Sequence, residues 1–83
     1  VAQMTVPATM PTLAVVDWSS TTQSVTVNGV TTTNTVIVSP APTSADEYAA
    51  CGVLCTAQGT NSLTFTCASV PANDLTVNVI ILN

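Results

Sequence analysis

The stretch "LTVNVIIL", Leu75 to Leu82, constrains this chain more than any other. Leu75, Val77, Val79 and Ile81 recur at every second position, against Thr76, Asn78 and Ile80. Side chains of a strand alternate between two faces, so this spacing puts one apolar row on a core. A second alternation lies in "SVTVNGV", residues 24 to 30, where Val25 and Val27 face one way and Thr26 and Asn28 the other. Asn28-Gly29 is the strongest short-range turn signal, fitted to close a hairpin or to mark a bulge at Gly29. "TVIVS" is apolar at Val36, Ile37 and Val38, as in a strand buried on both faces. "LAVVDW", 13 to 18, reads as a further strand, followed by "SSTTQ" as a polar connection. "VLCTA" and "SLTFTC" flank "QGTN", a hairpin signature. With the loop centred on Thr60, Val53, Cys55 and Ala57 share a face with Leu63, Phe65 and Cys67.

Pro40 and Pro42 end the strand before them, because neither can donate to a ladder. Ser44 followed by Glu47 fits a capping box, with Asp46 also in the first turn, where the helix dipole favours acids. Ala45 to Cys51 then makes about two turns, stopped by Gly52. Six or seven short strands and one short helix near 45–51 predict an all-β fold, a small antiparallel β-sandwich or barrel. Pro7 and Pro11 keep the first dozen residues out of a regular central strand. The expected organisation is therefore an extended N-terminal arm over 1–22, free to reach a neighbouring chain, and a β-sandwich domain over 23–83.

At 83 residues the chain makes one small domain at most, and its core alone leaves a thin stability margin. It is 47% hydrophobic and 5% charged, the reverse of the balance that produces disorder. So few charges predict that neighbouring subunits cover part of its apolar and hydroxyl surface. It has no Lys, Arg or His and four acids. Nucleic acid is excluded as a partner, because phosphate contacts need cationic groups. A basic patch for anionic membranes is equally absent, and no apolar run reaches the roughly 20 residues of a membrane-spanning helix. The chain opens on Val1 and not on Met, as a processed product or the ordered part of something longer does.

Catalysis has little to work with. Without His, Lys or Arg, Ser-His-Asp and Cys-His arrangements are impossible within one chain, and the chain is expected not to be an enzyme. Asp46 and Glu47 are adjacent and explained by capping, and Asp17 and Asp74 lie far apart beside strands. No D-x-D spacing offers a calcium site, and no cofactor or metal is expected. Cys51, Cys55 and Cys67 are the only soft ligands. They read as buried thiols, or with Cys55 and Cys67 as facing thiols or a cross-strand disulfide, or as a metal or redox group shared between chains. Trp18 and Tyr48 suit either surface contact, including contact with sugars, or anchoring in a core or interface.

Four stretches in order carry a resemblance: "VTVNGVTTTNTVIVSPAP" at 25–42, "CGVLCTAQ" at 51–58, "LTFTC" at 63–67 and "LTVNVIIL" at 75–82. Together they resemble a domain of small structural proteins of tailed bacteriophages, often from gut bacteria. The match covers 23–82. Cys51 departs from the pattern, where "EAGV" would stand in place of "AACGV". The resemblance implies a module of the virion surface in a fibre, head fibre or capsid decoration. It implies contact with other virion proteins, a homo-oligomer that is trimeric as phage fibres usually are, and attachment to a host-surface glycan as one use. It carries no catalytic residues. The alternatives are a carbohydrate-binding module on the same sandwich and a repeating subunit of a bacterial surface filament.

Overall fold

In the computed structural model, residues 8–82 are described, and they form two antiparallel sheets around one core. Strand β7, Leu75–Leu82, is the centre of the first sheet. Its inward row of Leu75, Val77, Val79 and Ile81 is at most 2% exposed, as the alternation requires. On one side β1 (Ala8–Thr9) and β2 (Thr12–Leu13) pair with it in a single register, from Ala8 opposite Ile80 to Leu13 opposite Leu75. Met10 and Pro11 interrupt that edge: the Pro11 carbonyl accepts from Val77 N–H at 3.1 Å, but proline has no N–H to return. On the other side β4 (Thr35–Pro40) pairs from Thr35 opposite Leu82 to Pro40 opposite Val77. The second sheet has the order β3 (Thr22–Thr26), β6 (Ser62–Thr66), β5 (Leu54–Gly59). Leu63 and Phe65 of β6, both fully buried, face the β7 row and complete a small β-sandwich. One short helix, α1 (Ala45–Ala50), covers an end.

Several expectations are corrected by this arrangement. Residues 8–22 are not an arm outside the domain. Leu13 is fully buried, and 8–13 pair with β7 of their own chain; residues 1–7 of the expected arm lie outside the described residues. "LAVVDW" is a strand only at Leu13. Asp74 Oδ1 accepts from Val15 N–H at 2.8 Å, and Val15–Asp17 coils into a 3-10 turn. Asn28-Gly29 closes no hairpin, because β3 and β4 belong to different sheets. Gly29 has φ +98° while Asn28 does not enter the left-handed region, the pattern of a type II turn, whose strands diverge. The tip of the β5–β6 hairpin holds that turn in place: Asn61 N–H donates to the Val30 carbonyl at 2.7 Å, and Asn61 Oδ1 accepts from Gly29 N–H at 3.1 Å.

Strand β4 is covered on one face only, with Ile37 49% exposed on the outer side beside Ile80. The capping box does not form either. Ser44 ends a 3-10 turn, Pro42–Ser44, with helical backbone angles, and its hydroxyl instead accepts from Thr76 N–H at 2.9 Å. The Glu47 carboxylate reaches the loop before β7, accepting from Ala72 N–H at 2.7 Å, Asn73 N–H at 3.1 Å and Asn73 Nδ2 at 3.0 Å. Both side chains thus tie α1 to β7. Gly52, at φ +65°, ends the helix as expected.

A cleft between the two open edges

The sandwich is not closed along one side. Strand β4 pairs only with β7, and β5 only with β6, among the described residues. Between these two outer strands runs a cleft of about 690 Å³. Val36 and Val38 of β4 and Cys55 of β5 point inward with the core, yet all three stay half-buried because no described residue lies between the strands. Leu63 contributes to the floor. Such an opening combines an apolar interior with the backbone groups of two edge strands, and those groups are a template for another strand.

Each end of the cleft is built by a side chain. Tyr48 comes from α1. Its burial raises the phenol above its usual range, with the neighbouring Cys55 adding to the effect. At the other end Gln58 Nε2 lies 2.8 Å from both the Thr31 and Asn34 carbonyls and 3.2 Å from Asn34 Oδ1. Gln58 thereby bridges β5 to the loop leading into β4. Sequence alternation missed it for a definite reason. The β5–β6 register slips between Cys55 and Ala57, a bulge at Thr56. The slip turns Ala57 to the outer face opposite Thr64, against expectation, and brings Gln58 opposite inward-facing Leu63.

The three cysteines are free thiols. Cys55 sits opposite Phe65, and Cys67 follows two residues beyond Phe65; both pack on the core. Burial raises both thiols above their ordinary range, Cys55 partly offset by its contact with the Ala57 carbonyl and Cys67 further raised by Cys51. Cys51 is thus the thiol that acts on Cys67. Held protonated at neutral pH, Cys55 and Cys67 are weak nucleophiles. Trp18 packs half-buried against the core, with its Nε1 buried and without an acceptor among the described residues. Trp18 and Tyr48 are therefore not brought together as a free aromatic platform. A second buried polar group, Gln23, stands in the inward row of β3; its Nε2 donates to the Ala14 carbonyl at 2.7 Å. Among the described residues no three His, Cys, Asp or Glu side chains converge as metal ligands.

The outer face of the first sheet forms a separate apolar patch. Met10 is 60% exposed, Ile37 49%, Leu82 39% and Ile80 38%, and Ile37 lies directly opposite Ile80. The outer face of the second sheet is instead hydroxyl-rich, with Ser24 and Thr64 joined at 2.9 Å. Cleft, patch and fold together define a small β-sandwich with an open edge and an exposed apolar sheet face. No family model, curated protein or solved structure matches the chain.

Proposed function

We propose that the protein is a structural module of a bacteriophage virion, in a fibre, head fibre or capsid decoration, and that it acts by assembling with copies of itself and with other virion proteins. The assembly half of this reading rests on one observation: among the described residues of a chain with no cation, the outer edges of β4 and β5 are unpaired and Met10, Ile37, Ile80 and Leu82 are exposed on one sheet face. Monomeric proteins rarely expose clustered apolar surface of this kind, and unprotected edges pair with other chains. The virion half rests on the sequence resemblance over 23–82. A position on the particle surface and attachment to a host-surface glycan follow from the same resemblance.

The interface between copies is apolar and Thr-rich, with no ion pair between side chains. Its strength therefore changes little as salt rises, whereas assemblies held by exposed ion pairs weaken. Mass photometry across a salt series tests this at micromolar protein, and mass spectrometry of purified particles tests the location. A monomer at every concentration, or an assembly that dissolves in salt, overturns the assembly reading. Absence from the particles overturns the virion reading.

A further inference from the structure

Among the described residues no strand lies in the cleft between β4 and β5, and this chain carries a segment of the right pattern and length to supply one. We infer that the cleft receives residues 1–6 of a second copy as an added strand between the two sheets; the inference rests on the assembly reading above and names its joint. Ala2, Met4 and Val6 alternate with Gln3 and Thr5. Laid between β4 and β5, such a segment sends one row onto Val36, Val38 and Leu63 and the other to solvent. Strands β4 and β5 are six residues each, which at about 3.3 Å per residue is a run of roughly 20 Å. Residues 1–6 extend equally far. The side chains lining the cleft carry no charge, and neither does any side chain of 1–6, so no ion is desolvated without a partner.

The geometry favours a second copy over the chain's own segment. Strands β1 and β4 both run antiparallel to β7, on its opposite sides, so they run parallel to each other. Ala8 is opposite Ile80, so the described chain begins near the Leu82 end of β7, which is also the Thr35 end of β4. To fill its own cleft the preceding segment would have to cross the sheet end and reverse direction. Seven residues reach at most about 25 Å, and the segment has no glycine for the reversal. Gln58 also bars that end through its contacts with Thr31 and Asn34. A neighbouring copy has no sheet end to cross and no reversal to make, and it can enter from the open side or the Tyr48 end. Each copy then gives one strand and receives one, a head-to-tail contact that closes into a ring or continues as a filament.

Two substitutions in the full chain separate this joint from assembly in general. Met4→Asp and Gln3→Asp change the charge identically, but only the first lies in the inward row. Met4→Asp should raise the midpoint concentration for assembly at least 10-fold, and Gln3→Asp less than about 2-fold. Cys55 lines the cleft and gives a direct trap. In Met4→Cys protein, oxidised glutathione accepts the two electrons and two protons released as a disulfide forms between Cys55 and the new thiol. The product should have the mass of linked chains, and it should vanish when Cys55→Ser is added. Gln3→Cys should link far more slowly. If the protein assembles but both aspartate variants behave like wild type, or the Met4→Cys disulfide forms within single chains, the joint is wrong and assembly stands. If wild-type protein stays monomeric throughout, the assembly reading falls and the joint with it.

Discussion

Ile80 and Ile81 are the same residue type at adjacent positions, and the fold treats them oppositely. Ile81 is 2% exposed in the core and Ile80 is 38% exposed on the outer face. Ile81 Cδ1 lies 3.3 Å from the point where a Cβ on Gly29 would stand, so the residue facing it has no side chain to relax into a void. Truncating a buried isoleucine to alanine costs about 2–5 kcal/mol, more where the site cannot collapse, so Ile81→Ala should cost about 3–4 kcal/mol. Ile80→Ala removes a partly solvated side chain beside Ile37 and should cost about 1 kcal/mol. At about 4–8 °C per kcal/mol for a domain of this size, the melting temperatures should fall by roughly 12–30 °C and 4–8 °C. The whole stability of such a domain is on the order of 4–12 kcal/mol, so Ile81→Ala removes a large part of it. Urea unfolding followed by Trp18 fluorescence, at one protein concentration so that assembly does not shift the baseline, measures both. Equal losses, or a larger loss at Ile80, would mean that β7 is one residue out of register.

Gly29→Ala puts a side chain at φ +98° against Ile81 and should cost about 1–3 kcal/mol in the same unfolding assay. The Glu47 carboxyl is held below its usual value, first by the Asn73 side chain and then by the backbone N–H groups of Ala72 and Asn73, with burial opposing them. A lowered folded-state pKa means that the stabilisation is complete above the unfolded value of about 4.3 and is lost as pH falls through the folded one. Thermal melts from pH 6 to pH 2 should therefore show a decline in acid that is smaller in Glu47→Gln. Iodoacetamide at pH 7 should modify half-buried Cys55 faster than buried Cys67, and both slowly, because burial holds both thiols protonated. Modified Cys55 occupies the cleft, so the same sample should assemble less; undiminished assembly would count against the cleft as the joint.

What could be read in advance followed from local rules. Leu75, Val77, Val79 and Ile81 declared their burial by alternation, and Gly52 declared the end of the helix by the backbone angle it alone tolerates cheaply. The hairpin around Thr60 and Asn61 was equally legible, since adjacent strands need only their own turn. The cleft was not, because it depends on which strands lie beyond β4 and β5, and edge position is a property of the whole sheet. Gln58 escaped notice because the bulge at Thr56 shifts every side chain after it by one place, and no residue there announces a bulge.

By itself, then, the sequence determined the class of fold, the inward row of β7 and the short helix after Pro40 and Pro42, all set by residues within a few positions of one another. It also determined, through the absence of any cation, that no side-chain ion pair forms within the chain or between copies of it. Only the tertiary structure decided that Asn28-Gly29 joins two sheets, that Ser44 and Glu47 bind the β7 strand and the loop before it in place of the helix start, and that the N-terminal residues from Ala8 onward belong to the sandwich. Each of these is a choice between partners that satisfy the same backbone group or bury the same side chain. A donor near in sequence and one 25 or more residues away are equivalent to a carboxylate or a hydroxyl, and the packing of the two sheets selects between them.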